Sequence, residues 1–151
     1  MTWVHDQIYA AGGEHLPSTW ASFVNQTGVT AVLHLRPVSP ASFHGPLPRG
    51  FLWMDLADES QAGLEERWLA ASFIGENLEK GRRILLHSSL RRHRVRWAYV
   101  SYLIWMGRSV RASLREVEEK PWLAPYHTDE RIWEDFRQFV KTPRVGENLS
   151  T

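Results

Sequence analysis

Residues 83–106 limit the choice of fold more than any other part of this 151-residue chain. They open with Ile84-Leu85-Leu86, an apolar run of strand length, and pass into the polar segment His87-Ser88-Ser89-Leu90-Arg91-Arg92-His93-Arg94. Residues 97–106 are again apolar and aromatic, over too great a length for such a strand, which predicts a mostly buried helix. A strand feeding a tight polar loop that opens a helix presents backbone N–H groups to an anion. The positive end of the helix dipole falls at the same point.

The remaining elements are read from spacing and turn chemistry. Short strands are predicted at Trp3-Val4 and over residues 7–11, with Gly12-Gly13 turning the chain. Pro17-Ser18 offers a helix start with Ser18 as N-cap; Trp20, Phe23 and Val24 follow at helical spacing, and Gly28 ends the element. Residues 30–35 read as a central strand, 37–50 as a loop rich in Pro, Ser and Gly, and 51–54 as the next strand. A loop over 55–63 carries Asp55, Asp58 and Glu59. Residues 64–79 follow as an amphipathic helix, with Trp68, Leu69, Ser72, Phe73 and Glu76 distributed over its faces. Ser109 is expected to cap a helix over 110–120, and residues 121–125, bounded by prolines, form a connector that cannot continue it. A last helix is expected from Thr128, with Ile132, Trp133, Phe136, Phe139 and Val140 as its buried stripe. Alternating strands and helices predict an α/β class: a single three-layer domain over residues 1–141, its central sheet mostly parallel and flanked by helices. Residues 142–151 read as a flexible polar tail.

At residues 87–95 the sequence resembles the phosphate-binding loop of the protein tyrosine phosphatase superfamily, and residues 7–140 resemble its small dual-specificity phosphatases in order and spacing. The family loop reads His-Cys-x-x-Gly-x-x-Arg-Ser/Thr. His87 and Arg94 match it, whereas Ser88 stands at the Cys, Arg91 at the Gly and Val95 at the closing hydroxyl residue. The run Val29-Thr30-Ala31-Val32-Leu33-His34-Leu35-Arg36 is similar to a family strand, with His34 at an Asn position.

Each departure has a physical consequence. Backbone N–H groups and a helix N-terminus ionise a thiol readily, but a serine hydroxyl not comparably. Arg91 adds a Cβ and a long cationic chain where glycine permits close approach, and it either leaves the mouth open or folds into it. Val95 removes the hydroxyl that assists the thiolate. An engineered trapping variant would normally change only the Cys, so three departures together point to natural degeneration. The resemblance therefore implies a pseudophosphatase that binds an anion through His87, Ser88, Ser89, Leu90, Arg91, Arg92, His93 and Arg94. Arg94 would be the anchor, since a guanidinium clamps phosphoryl oxygens without needing a thiolate. Asp58 falls at the general-acid position with Asp55 as runner-up; the plainer alternative for Asp58 is a turn carboxylate or an ion pair with a loop arginine. A phosphorylated protein or a small anion such as phosphate or sulfate is the implied partner, with no cofactor. An active or weakly active phosphatase is the first rival, with His87 or His93 as base for Ser88.

Charge supplies the second rival. Net charge is only +1, yet residues 81–115 contain no Asp or Glu and nine arginines, which predicts a positive face and an interaction module. Nucleic acid is not the expected partner, because basic hexapeptides such as residues 91–96 are common and Trp97 is expected to point inward. Cysteine is absent, which excludes disulfides and thiol chemistry. The seven histidines are scattered, so no metal site is expected. The N-terminus lacks a signal-peptide pattern and no segment is apolar enough to span a bilayer, so a cytoplasmic protein is expected.

Overall fold

Five strands form one sheet in the order β1-β2-β5-β3-β4: β1 (Thr2–His5), β2 (Ile8–Gly12), β3 (Val29–Leu35), β4 (Gly50–Met54) and β5 (Arg83–Ser88). The computed structural model describes residues 2–121 and 123–142. β1 pairs antiparallel with β2 and every other pairing is parallel, so the sheet is mixed. Parallel strands covered on both faces need apolar side chains on both sides, which is why Ile84-Leu85-Leu86 is continuous rather than alternating. Leu85 packs with Trp20 and Phe23 of α2 (Trp20–Thr27), while Ile84 and Leu86 pack with the helices on the opposite face. Those helices are α3 (Leu64–Glu79), α4 (Arg96–Trp105), α5 (Val110–Glu118) and α6 (Glu130–Lys141). The result is the expected three-layer α/β sandwich.

Helix α4 is buried on all sides over residues 97–104, as its unbroken apolar sequence demands. α6 carries the expected buried stripe at Trp133 and Phe136, and Ser109 caps α5 by accepting from Ala112 N at 3.1 Å. Two helix starts differ from expectation. Ser18 lies inside a single turn, α1 (His15–Ser18), and bonds back to His15 O, so Thr19 precedes α2 instead. α6 is capped by Asp129, whose carboxylate accepts from Arg131 N at 2.9 Å. Thr128 is drawn away into a side-chain network described below.

The arginines of residues 81–115 do not gather on one face. Arg82 and Arg83 sit at the start of β5, the end of the strand opposite the loop. Arg82 donates to Asn77 Oδ1 at 2.9 Å, and Arg83 donates to Thr27 O at 2.7 Å while lying over the Trp3 ring. Arg108 pairs with Glu116 on α5, and Arg111 and Arg115 point to solvent from the same helix. Only Arg91, Arg92, Arg94 and Arg96 stay with the loop, so the positive face read from the sequence is narrowed to these four: a run of like charge along a chain is divided as soon as the chain crosses the sheet. Pro121 lies in the connector, Trp122 falls outside the described residues, and so does the tail from residue 143. Among the described residues no helix is long and apolar enough to cross a membrane.

Candidate functional site

The loop after β5 emerges at the C-terminal edge of the sheet from its central strand, the place where α/β sheets bind ligands. Both neighbouring strands hold it. Directly after β2, Gly13 N donates to Ser88 O at 2.9 Å; from β3, Leu35 O accepts from Ser89 N at 3.1 Å. Gly12 lies flush against the loop backbone, and a Cβ there would sit 2.2 Å from Arg92 N and 2.4 Å from Arg91 Cα. No flexible side chain can yield to such a Cβ, only the loop itself. Gly12→Ala is accordingly expected to cost about 1–3 kcal/mol, as overpacking does, and to displace residues 91–92; urea unfolding and oxyanion titration check the two effects.

Ser88 and Ser89 are buried beneath the loop, and Ser88 Oγ accepts a bond from Leu90 N at 3.1 Å. Arg91 is exposed, with extended backbone (φ −164°, ψ 158°), and precedes the 3-10 turn Arg92–Val95 that leads into α4. Leu90, Arg91, Arg92 and His93 line a recess of about 340 Å³ together with Gly12. Arg94 turns to the other side. Its Nη1 donates to Ala57 O at 3.2 Å and lies 3.6 Å from Asp58 Oδ1. The structure thus unites Arg94 with Asp58, and Asp58 forms the ion pair that was its plainer alternative. Asp55 is committed elsewhere: its carboxylate accepts from Val38 N at 2.7 Å and holds that β-branched residue at φ 76°, a strained left-handed conformation.

Behind the loop lies a buried pair of histidines that sequence reasoning did not connect. His34 on β3 and His87 on β5 are register partners, both fully buried, with their Nδ1 atoms 3.0 Å apart. Their hydrogen bonds have one consistent direction. Ala41 N–H can only donate, so His34 Nε2 accepts it at 3.1 Å and His34 carries its proton on Nδ1. That proton is given to His87 Nδ1, and His87 Nε2–H donates to Gly13 O at 2.9 Å. Burial, followed by mutual repulsion and the Arg36 charge, lowers the His34 pKa to about 3. Burial lowers that of His87 to about 4 against the pull of the Gly13 carbonyl and Glu14. Phe43 covers the pair edge-on. Both nitrogens of His87 are committed, so it cannot take a proton from Ser88.

A second network fixes the segment that carries Asp58. Gln61 Oε1 accepts from Ala57 N and Asp58 N at 2.6 and 3.2 Å, closing the turn. Glu59 reaches into the helical layer, accepting from Tyr126 Oη at 2.6 Å and Thr128 Oγ1 at 2.9 Å. Thr128 in turn accepts from Trp133 Nε1. Arg67 on α3 is buried between the Trp97 and Trp133 rings, 4.3 Å from the centroid of the latter, with Nη1 3.9 Å from Glu59 Oε2. Arg96 completes the frame by donating to His93 O, Leu123 O and Pro125 O at 2.6–3.0 Å, with Tyr126 beneath it. Nothing in the sequence marks Arg67 as buried: the amphipathic reading of its helix is corrected, since the buried face is made of Arg67, Ala70, Ala71, Ile74 and Gly75 while Leu69 is exposed. The only trace is the excess of tryptophans available to cover it.

Solved structures align with this arrangement over nearly its whole length. Human DUSP28 matches at TM-score 0.70 with 15% identity, covering 93% of this chain and 96% of its own. PTPMT1, solved in complex with PI(5)P, matches at TM-score 0.72 with 12% identity and the same coverage of both chains. The human tyrosine phosphatase-like serine/threonine/tyrosine-interacting protein matches at 0.66 with 14% identity, covering 91% of this chain and 93% of its own. The fold is that of the dual-specificity phosphatases. No family model and no curated protein matches this chain in sequence. Among the described residues no cluster of His, Asp and Glu is placed to hold a metal ion.

Proposed function

We propose that this chain is a cytoplasmic pseudophosphatase, which binds a phosphorylated protein or small phosphorylated ligand at residues 87–94 without efficient hydrolysis. The observation that carries the reading is the commitment of both His87 nitrogens beneath Ser88. A serine nucleophile needs an adjacent base to remove its proton; of the two candidate rings His87 is fully engaged, and His93 lines the recess with Gly12, to which Ser88 does not contribute. Binding makes no such demand. Arg94 is one-third exposed, at 35% of its side chain, and a phosphoryl oxygen can replace the partly solvated Asp58 carboxylate as its partner. The fold neighbour PTPMT1 holds a phosphorylated ligand, PI(5)P, which supports the phosphoryl class. Asp58 would be the relic of the general acid, retained as a tether for Arg94 when no ligand is bound.

Calorimetric titration with orthophosphate and tungstate tests this directly. The expected result is binding in the micromolar to low millimolar range, about 4–8 kcal/mol, which is lost in Arg94→Ala. Turnover of an aryl phosphate should stay at background in the natural protein and in Ser88→Cys, because Arg91 and Val95 remain. Strong turnover by either would overturn the reading, and so would oxyanion binding that ignores Arg94.

A further inference from the structure

Both contacts of Arg94 with the Asp58 segment are made by one nitrogen. Nη1 donates to Ala57 O at 3.2 Å and faces Asp58 Oδ1 at 3.6 Å. In a planar guanidinium this leaves Nε–H and Nη2–H side by side on the other edge, a fork that can grip two oxygens of one phosphoryl group. How Arg94 presents that edge depends on where the Ala57 carbonyl points. The carbonyl shares a peptide plane with Asp58 N–H, and in a trans peptide the two point in opposite directions. Gln61 Oε1 accepts from Asp58 N at 3.2 Å and from Ala57 N at 2.6 Å, and Gln61 N donates back to Asp58 O at 3.0 Å. Holding the N–H on one side aims the C=O at Arg94 on the other. Both partners of the Gln61 side chain are donors, so its amide presents the oxygen to them. Gln61 is exposed and belongs to neither apolar core, so holding this turn is the role its contacts define.

We infer that Gln61 is a positioning residue of the anion receptor, acting on Arg94 through the 57–58 peptide and the Ala57 carbonyl. This rests on the loop being an anion receptor, as proposed above. With the Gln61 acceptor in place, Nη1 has a fixed partner and the Nε–Nη2 edge is oriented before the ligand arrives. Without it the 57–58 peptide is free to turn, and the guanidinium has to be ordered at the moment of binding, which costs affinity. A neutral amide suits the position. A carboxylate could accept the same two bonds, but it would set a negative charge behind a turn whose other side faces the anion.

The test is calorimetric titration of the full chain with orthophosphate, in the natural protein, Gln61→Met and Gln61→Glu. Methionine keeps the length and removes the acceptor, whereas glutamate keeps the acceptor and adds a charge. The expected order of affinity is the natural protein, then Gln61→Glu, then Gln61→Met. The last should bind about five- to tenfold more weakly than the first, the scale of one lost hydrogen bond. A residue acting by charge alone would reverse the order of the two variants. The loss in Gln61→Met should persist in an Asp58→Asn background, because it travels through the Ala57 carbonyl and not the Asp58 carboxylate. Cooperative thermal unfolding establishes that each variant is folded. Unchanged affinity in Gln61→Met, weaker binding by Gln61→Glu than by Gln61→Met, or a loss that vanishes with Asp58→Asn would each overturn the inference. Arg94→Ala separates the two proposals. Orthophosphate binding that is lost in Arg94→Ala but indifferent to Gln61→Met sustains the receptor and removes the inference. No binding by the natural protein, or binding that persists in Arg94→Ala, removes both.

Discussion

Lowering the pH from 7 to 5 should remove about 4 kcal/mol of folding stability, because two buried histidines must stay neutral for the sheet beneath the loop to hold. His34 and His87 have folded pKa values of about 3 and about 4, against about 6.5 in an unfolded chain. Between those values the unfolded state binds protons that the folded state refuses, so stability rises with pH. The contribution is fully present above about pH 6.5 and is lost progressively as the pH falls toward 4 and then 3. The geometry gives the reason. A proton added to His87 Nδ1 sets two N–H groups facing each other across 3.0 Å, and one added to His34 Nε2 faces the Ala41 N–H. Ordinary carboxylates titrate below this window, near pH 4, so the loss between 7 and 5 belongs chiefly to histidine. A loss of this size is a large share of the roughly 5–15 kcal/mol that stabilises a typical domain. Urea unfolding at pH 7, 6 and 5 measures it. In His34→Asn the loss between pH 7 and 5 should shrink by roughly half; a midpoint independent of pH in the natural protein would show that the pair is not held neutral.

Glu59→Ala should destabilise the domain by about 3–5 kcal/mol, lowering the melting temperature by roughly 10 °C. Arg67 is 1% exposed, and its Nη1 has no hydrogen-bond partner, only the Glu59 carboxylate at 3.9 Å. Removing that carboxylate leaves a buried guanidinium with aromatic rings and carbonyls alone, and it strands the hydroxyls of Tyr126 and Thr128. Arg67→Met should cost less than half as much. It removes the desolvated charge together with its unpaired nitrogen and keeps apolar volume between Trp97 and Trp133. Glu59 meanwhile keeps two hydroxyl donors and partial access to water, with 25% of its side chain exposed. This asymmetry is the signature of a buried charge whose partner is indispensable but whose own presence is not. A larger loss in Arg67→Met than in Glu59→Ala would contradict it. Because Glu59 follows Asp58, the network also fixes where the Arg94 tether sits.

The two networks mark the boundary of what sequence reading could reach. The strand–loop–helix at residues 83–106 was legible because its signals are local: an apolar run of strand length, a polar break, and an apolar stretch too long for a strand. The segment 87–94 was legible for the same reason, although His87 and Ser88 close β5 and Arg92 to Arg94 belong to a 3-10 turn, which leaves only residues 89–91 between the two. Helix starts were less so. Ser18 and Thr128 are good caps by chemistry, but Ser18 turns back to His15 O and Thr128 is taken by Glu59 and Trp133. Asp55 and Asp58 could be ranked by spacing, yet only the folded chain shows one holding Val38 and the other beside Arg94.

By itself, then, the sequence determined the element order, the two-sided burial of β3 and β5, and the run of residues that forms the loop. Those follow from periodicity and residue type, which act over a few positions of chain. Tertiary structure alone decided which distant groups meet. His34 lies 53 residues from His87, Arg94 lies 37 from Ala57, and Glu59 lies 67 from Tyr126. Such meetings depend on strand register and on how helices settle against the sheet, which are set by the packing of the entire core. The same packing dispersed an arginine block that looks continuous along the chain, and it left Arg91 and Arg94 facing opposite sides of one turn.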